Sequence, residues 1–377
     1  MKAPQIFSFF SGIGFLDLGF EKAGYISAFV NEFDPDFLSA YQYARKQMKV
    51  KQPVYGYLQG SAEAVLAGAY QNDFKKILVQ AKKSGHPIGF IGGPPCPDFS
   101  VGGKNRGKTG SNGRLTQVYA DIICKYQPDF FVFENVKGLW RTKVHRAFYE
   151  DIKKQFSNSG YILFDRLINA MEFGAPQDRE RIILIGFFKK SPYFKSLPKE
   201  MPWETHMAFS LEKIKKLNWP ETETPSPVRI RPAKIIPQLT VQYWFDKNKV
   251  TQHPNQQHCF RPRSALAKFQ TIPEGDVAKK SFKRLHRWRY SPTAAYGNNE
   301  VHIHPYEPRR ISAAEALAIQ SLPKEFVLPP WMSLSDMFKT IGNGVPYKAA
   351  YGIAKTILKF ISYKNEDNSG KYCKNNK

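Results

Sequence analysis

The chain has 377 residues, 42% of them hydrophobic, and its 56 Lys and Arg against 32 Asp and Glu give a formal net charge of +24. This length and apolar content support one large domain with a smaller second unit. The N-terminus lacks a secretion signal, and no stretch approaches the ~20 apolar residues that span a bilayer. We therefore expect a soluble, cytoplasmic protein without a membrane partner. The positive excess favours a polyanionic partner, of which nucleic acid is the usual one.

The four cysteines are far apart in the chain and form no C-x-x-C pair. This spacing argues against a zinc site. So few cysteines in so long a chain also argue against a disulfide framework. We expect no metal in this protein.

Residues 5–188 are predicted to alternate short apolar strands with helices. The predicted strands span residues 5–10, 26–31, 88–91, 130–134, 163–169 and 182–187. The predicted helices span residues 15–23, 35–47, 71–83, 117–126 and 143–157. Because the strands are apolar with little alternation, the pattern predicts an α/β fold whose parallel sheet is covered on both faces. We assign residues 1–188 to a catalytic and cofactor-binding domain.

The composition of the sequence is different over residues 189–308. Prolines become frequent, the helical period fades, and aromatic residues alternate with basic ones. This segment holds 21 Lys and Arg against 10 Asp and Glu, an excess of 11 positive charges. Aromatic rings among cations suit phosphate contact and base stacking, although many of these rings would also form the core of a small domain.

Regular structure is predicted again from residue 309. The stretch 312–321 reads as a helix with Ser312 as its N-cap and Glu315 at the capping-box position. Residues 341–361 read as a turn and a second helix, so we expect 309–361 to return to the catalytic domain. The polar tail, 362–377, is predicted to be disordered.

A glycine turn between the first predicted strand and helix, in "IFSFFSGIGFLDLGF" (6–20), indicates a ligand site. Gly12 and Gly14 allow positive φ and close approach of a ligand, and the following helix offers free N–H groups. Glu32 follows Gly12 by 20 residues, a spacing that suits an acceptor for ribose hydroxyls. The third glycine of a dinucleotide fingerprint is replaced by Asp17. An adenosine cofactor without a pyrophosphate therefore fits better, and a purely structural turn is the alternative.

Six short motifs occur in a fixed order along the chain: FFSGIG (9–14), NEFD (31–34), GPPCPDFS (93–100), ENV (134–136), QDRERI (177–182) and IGNGVP (341–346). Together they resemble the motif series of the cytosine-C5 DNA methyltransferases, of the compact prokaryotic kind. The resemblance covers residues 5–188 and 309–361, and 189–308 lies where that family carries its target-recognition domain. It implies a Rossmann-like methyltransferase sheet, S-adenosylmethionine as cofactor, and methylation of C5 of a cytosine flipped out of duplex DNA.

The resemblance also assigns the catalytic residues. A thiolate that adds to C6 of cytosine makes C5 nucleophilic, and the resemblance gives this role to Cys96. It gives the contact with N3 of the base to Glu134, the contact with O2 to Arg181, and support of the nucleophile region to Arg179. From the residues alone, the alternatives are an inert buried thiol for Cys96, a turn cap for Glu134 and a solvated charge run for the two arginines. The rigid, Pro-flanked setting of Cys96 after a strand end argues against the first of these.

The resemblance implies a cofactor pocket and two departures from the family pattern. Its expected lining is Phe10, Ser11, Gly12, Ile13 and Gly14 around the methionine part, Glu32 at the ribose, Phe33 on the adenine, and Pro95, Leu115, Asn343 and Val345 around them. Ser61 stands where the family often has an acid near the adenine amino group. Pro97 follows the cysteine where the family usually has glutamine.

The expected DNA contacts lie in two segments. The Gly-, Lys- and Arg-rich stretch 100–115 resembles the family's active-site loop and supplies Ser100, Lys104 and Arg106. In the target region we expect contacts from Arg284, Arg287 and Arg289. The chain would act as a monomer, either beside a cognate restriction endonuclease that acts on the same site or as a solitary modifier. The alternatives are a tRNA cytosine-C5 methyltransferase of the same fold and an inactive nucleic-acid-binding module.

Overall fold

A central sheet of seven strands organises the protein, in a computed structural model that describes residues 1–95, 111–194, 197–261, 266–294, 296 and 302–362. The strands up to residue 188 are β1 (Gln5–Phe9), β2 (Ile26–Glu32), β3 (Tyr57–Gln59), β4 (Ile88–Gly92), β5 (Phe130–Val136), β6 (Tyr161–Asn169), β7 (Gln177–Asp178) and β8 (Glu180–Phe188). The order across the sheet is β3-β2-β1-β4-β5-β8-β6, and β7 lies outside it.

The sheet is mixed rather than wholly parallel. Strands β1 to β5 pair in parallel, as predicted, but β8 runs antiparallel to both of its neighbours, β5 and β6. A parallel connection needs a crossover of a dozen or more residues, usually a helix. The short link between β6 and β8 holds only a 3₁₀ turn, Ala170–Phe173, and β7, so β8 turns back beside β6.

Helices cover the sheet and continue into the rest of the chain. They are α1 (Phe15–Ala23), α2 (Pro35–Gln47), α3 (Tyr70–Lys83), α4 (Ser111–Tyr126), α5 (Lys137–Arg141), α6 (Lys143–Asn158), α7 (Leu211–Lys215), α8 (Val241–Lys247), α9 (Leu266–Thr271), α10 (Ala313–Ile319), α11 (Leu334–Asn343) and α12 (Tyr347–Ile361). The predicted bounds of α1 and α2 are confirmed, and α4 begins six residues earlier than predicted. The capping box of Ser312 and Glu315 at α10 is also confirmed.

The two faces of the sheet carry separate apolar cores. Phe7, Phe90 and Phe131 point to one face and pack with side chains of α3, α4 and α6. Ile6 and Val132 point to the other face and pack with side chains of α1 and α12. Neighbouring strand residues therefore enter opposite cores, which explains why these strands read as continuous apolar runs.

The C-terminal segment completes the helical layer on one face of the sheet. Helix α12 packs along α1, where a Cβ atom added at Gly19 would lie 2.4 Å from the Ala350 side chain. The Tyr25 hydroxyl donates to the Ala354 carbonyl over 3.0 Å. Residues far apart in sequence thus form one core.

The region 189–308 has little regular structure beyond α7, α8 and α9. It contains the two-residue strands β9 (Lys283–Arg284), β10 (Ser291–Pro292) and β11 (His302–Ile303). β9 pairs with β11, and β10 pairs with β7, which attaches this region to the segment before β8.

Two arginines of this region are buried, against the prediction that they contact DNA. Arg284 is 1% exposed, and its guanidinium donates to the carbonyl oxygens of Phe269, Ile272, His304, Pro305 and Glu307. Arg287 is 3% exposed and forms a two-pronged ion pair with Glu274 through two contacts of 2.9 Å. Both guanidinium groups are occupied inside the protein, so we assign Arg284 and Arg287 a structural role.

Among the described residues, no helix has the length and apolar character to cross a membrane. In the same part of the chain, no group of three or more His, Cys, Asp or Glu is arranged to hold a metal ion.

Candidate active site

The predicted motifs meet at one edge of the sheet. Strands β1 and β4 lead into the glycine turn and Gly93 at their carboxyl ends, β2 ends at Glu32, and β5 ends with the ENV motif. Because β8 is antiparallel, it begins at this same edge, and Arg181 pairs in register with Val136 of β5. Ligands of open α/β sheets bind at this edge of the strands.

The glycine turn after β1 is held in a left-handed conformation. Phe10, Gly12 and Gly14 have φ values of 54°, 55° and 79°. The Gly12 N–H donates to the Glu32 carboxylate over 2.7 Å, and the Asp34 N–H donates to its other oxygen over 2.9 Å. Burial raises the pKa of Glu32, while these backbone hydrogen bonds oppose the shift. Glu32 therefore fixes the turn and still has lone pairs for a ligand.

A buried arginine holds the other side of the same turn. Arg45 of α2 is fully buried, and it donates to the carbonyls of Ile13 and Gly14 over 3.3 and 2.6 Å. Its charge is balanced by Glu21, 3.2 Å away, and its guanidinium lies 4.1 Å from the centre of the Tyr41 ring. The backbone N–H of Gly12 and the carbonyls that follow it are thus held by two opposite charges.

Asp17 is a second buried charge beside the glycine turn. It lies in the first turn of α1, is 1% exposed, and accepts a hydrogen bond of 2.8 Å from the Ser8 hydroxyl. Burial raises its pKa to about 6, although Arg45 acts in the opposite direction. The sequence pattern indicated neither Asp17 nor Arg45 as part of the site. A charged residue on the apolar face of each helix was the available signal.

The C-terminal motif IGNGVP lies against the glycine turn. A Cβ atom added at Gly344 would lie 2.1 Å from the Phe15 ring, and one added at Gly12 would lie 3.9 Å from the Thr340 hydroxyl. Asn343 is exposed at the end of α11, whereas Val345 is 6% exposed. Residues 340–345 therefore border the turn formed by residues 10–14.

The remaining predicted pocket residues differ in exposure. Phe33 presents a ring that is 70% exposed directly after Glu32, while Pro95 is exposed and Leu115 half-buried. Ser61 follows β3, and its hydroxyl accepts a hydrogen bond of 3.2 Å from the Glu63 N–H. The Ser61 side chain therefore caps the 3₁₀ turn Ala62–Val65.

A buried carboxylate and an arginine face each other across β5 and β8. Glu134 is 7% exposed, and its Oε1 lies 2.9 Å from Nε of Arg181. Burial raises the pKa of Glu134, and the charges of Arg181 and Arg179 partly oppose the rise. A Cβ atom added at Gly93 would lie 2.5 Å from Oε2 of Glu134. Glycine thus leaves room for this carboxylate beside the turn that leads to Cys96.

Arg179 connects three parts of the chain. It is 1% exposed, and its guanidinium donates to the carbonyls of Ala294 and Gly342 over 2.9 and 2.7 Å. It therefore links the QDRERI motif to the IGNGVP motif and to the segment before residue 296. Desolvation lowers its pKa.

Several predicted site residues lie outside the described residues: Cys96, Pro97, Ser100, Lys104 and Arg106. Arg289 is half-buried and donates to the Pro220 carbonyl over 3.2 Å.

Comparison with known proteins agrees with this architecture. The fold is that of the Rossmann-like methyltransferases. A family model for the C-5 cytosine-specific DNA methylases matches residues 5–359, and the chain belongs to this family. It is therefore a methyltransferase enzyme, and the predicted fold class and family are confirmed.

Two relatives align over nearly the whole chain. The Type II methyltransferase M.NmeDI of Neisseria meningitidis serogroup C is 60% identical over 96% of this chain and 84% of its own length. The Type II methyltransferase M.FnuDI of Fusobacterium nucleatum is 30% identical over 96% of both chains. Among solved structures, a prophage-encoded DNA modification methyltransferase (E. coli) has a TM-score of 0.66 at 22% identity, over 96% of this chain and 100% of that one. At that identity the likeness concerns the fold alone.

Proposed function

We propose that this enzyme methylates C5 of cytosine within a specific sequence of duplex DNA, with S-adenosylmethionine as the methyl donor. The observation that carries the proposal is the buried pair of Glu134 and Arg181 beside Gly93, three residues before Cys96. Such a pair suits the N3 and O2 edge of a cytosine, and the cysteine would reach the same base from its face. A base can enter this setting only after it leaves the duplex.

The side chains at the glycine turn fit an adenosine cofactor. The Glu32 carboxylate can accept hydrogen bonds from ribose hydroxyls, and the exposed Phe33 ring offers a stacking surface for adenine. Gly12 presents backbone without a Cβ atom, and the buried Ser11 hydroxyl has no hydrogen-bond partner among the described residues. S-adenosylmethionine, when bound here, supplies an electrophilic methyl group.

The protein's own groups would prepare the base for methyl transfer. The Cys96 thiolate adds to C6, and the ring electrons move towards N3. Glu134 is buried, which raises its pKa and favours the protonated carboxyl that N3 requires. Arg181 holds Glu134 in place, and we assign it the contact with O2 of the base. The adduct leaves C5 electron-rich and ready to accept the methyl group.

Because Arg284 and Arg287 are buried, we propose other DNA contacts in the target region beside Arg289. A cleft of about 360 Å³ is lined by Arg231, Pro237, Thr240, Tyr243, Asp246, Lys247 and Trp288. Val228 and Ile230, next to this cleft in sequence, are 82% and 90% exposed. Cations can contact phosphates, and aromatic rings can stack on bases. Exposed apolar side chains can contact the methyl groups of thymine. Ser100, Lys104, Arg106 and Arg289 remain proposed contacts.

The names of the two relatives extend the proposal to a biological setting. Both are Type II methyltransferases, which favours a role in a restriction–modification system and a partner endonuclease with the same recognition sequence.

Methyl transfer to nucleic acid tests the proposed function. The purified protein would be incubated with labelled S-adenosylmethionine and either duplex DNA or tRNA, beside a Cys96→Ala variant. We expect label in DNA with the wild type and none with the variant. Label in tRNA alone, or no label in DNA of varied sequence, would overturn the proposal. Label retained by the variant would remove Cys96 from the mechanism.

A further inference from the structure

A basic corner follows the strand that carries Glu134. Residues 137–146, KGLWRTKVHR, form α5 and the start of α6, and they contain four Lys and Arg and no acidic residue. α5 begins directly after Val136, which is in register with Arg181. At 1.5 Å per residue this helix is about 7.5 Å long, so its charges stay close to the proposed active site.

Two of these four cations hold the corner in place. Lys137 pairs with Glu180, the residue between Arg179 and Arg181, which ties α5 to the start of β8. The Arg146 guanidinium lies 3.8 Å from the centre of the Trp140 ring, and its Nε lies 2.8 Å from Glu150. These contacts fix α5 against β8 and against α6.

The other two cations face solvent. The Arg141 side chain is 61% exposed, and its distance of 3.8 Å to Glu180 is that of a weak surface pair. Lys143 is exposed, as is Thr142 between them. Exposed cations on a fixed helix are suited to contact phosphates, and this helix begins directly after the strand that carries Glu134.

We propose that Arg141 and Lys143 form a phosphate-contact surface that holds duplex DNA on the catalytic domain next to the Glu134–Arg181 pair. In sequence, these two residues lie outside both the target region, 189–308, and the stretch 100–115. It rests on the proposed function, which supplies duplex DNA as the partner. Contacts of this kind set the position of the strand without reading its sequence.

The salt dependence of DNA binding tests this surface. The affinity of the wild type and an Arg141→Ala/Lys143→Ala variant for a labelled duplex of mixed sequence would be measured over a series of salt concentrations. Two lost phosphate contacts should reduce the slope of log affinity against log salt by about 1.8. The affinity for S-adenosylmethionine should stay unchanged, and the charge-preserving variant Arg141→Lys/Lys143→Arg should keep the wild-type slope.

A matched control carries the same charge change on the opposite edge of the sheet. Lys82 and Lys83 are exposed at the end of α3, shortly before β4 begins. Lys82→Ala/Lys83→Ala should change the slope by less than half as much. The proposal would be overturned if the salt slope were the same in the wild type and the Arg141→Ala/Lys143→Ala variant. It would also be overturned if the two double variants reduced the slope by the same amount. A reduced salt slope of the Arg141→Ala/Lys143→Ala variant for tRNA binding, with an unchanged slope for duplex DNA, would also overturn it.

The failure of the proposed function would be seen separately. If the wild type binds duplex DNA but transfers no methyl group to it, the proposed function falls while the phosphate-contact surface stands. If the wild type methylates DNA and the slopes do not differ, only the surface falls.

Discussion

Gly93→Ala should separate catalysis from folding in this protein. The added Cβ would lie 2.5 Å from Oε2 of Glu134, and ordinary contact begins at 3.4 Å, so the oxygen must withdraw by about 0.9 Å. The atom that moves is the far end of a flexible side chain, so we expect the free energy of unfolding to change by less than about 1 kcal/mol. The displaced carboxylate would be misaligned with Arg181 and with N3 of the base. A shift of this size can lower the rate by ~10²-fold.

The assay is single-turnover methylation of duplex DNA, with thermal unfolding and cofactor binding measured on the same samples. Gly92→Ala is the control, because its Cβ would meet the Tyr119 ring at 2.8 Å and the Phe9 carbonyl at 3.0 Å. That variant should lose about 1–3 kcal/mol of stability through overpacking. If Gly93→Ala keeps a rate within twofold of the wild type, the position that we give to Glu134 in the mechanism is wrong.

Substitutions at three further positions test the cofactor side of the site. Arg45→Met leaves Glu21 and Asp17 as buried charges without their partner, so we expect a loss of about 3–5 kcal/mol in chemical denaturation and weaker cofactor binding. Arg45→Lys should restore only part of the stability and of the cofactor affinity, since lysine lacks the planar guanidinium group that donates to two carbonyls. Burial raises the pKa of Asp17 from 3.8 to about 6, so its ionisation destabilises the folded state as the pH rises from about 4 to 6. The free energy of unfolding of Asp17→Asn should therefore equal that of the wild type near pH 4 and exceed it by about 3 kcal/mol above pH 6. An Asp17→Asn variant that is no more stable than the wild type at pH 8 would contradict this reasoning. Phe33→Ala should weaken S-adenosylmethionine binding about tenfold in calorimetry without lowering the melting temperature, because the ring is 70% exposed; unchanged affinity would remove it from the pocket.

The sheet and its helices could be predicted from local patterns because those patterns follow the period of each element. The glycine turn after β1 needs positive φ at Gly12 and Gly14, and the sequence places glycine at both positions. The direction of β8 could not be predicted, because an apolar strand reads the same in either direction. The link between β6 and β8 is ten residues long and holds a 3₁₀ turn in place of a crossover helix, which accounts for the reversal.

The charges were harder to assign than the strands. Arg284 and Arg287 lie in a basic, aromatic stretch and read as surface cations, yet carbonyl oxygens and Glu274 distant in sequence surround them in the fold. Arg45 and Asp17 are buried for a similar reason, since their partners, Glu21 for Arg45 and the Ser8 hydroxyl for Asp17, come from other elements. A composition pattern gives the number of cations but not the partners that determine which of them reach solvent.

The most direct test of the proposed function is the chemical identity of the methylated nucleoside. Duplex DNA treated with the enzyme and S-adenosylmethionine would be digested and analysed by mass spectrometry, and a second portion would be mapped by bisulfite sequencing. We predict 5-methyldeoxycytidine at one position of a single short sequence, absent when Cys96→Ala replaces the wild type. Methylation of an exocyclic amino group, or no methylated nucleoside from an enzyme that binds both DNA and cofactor, would contradict the account.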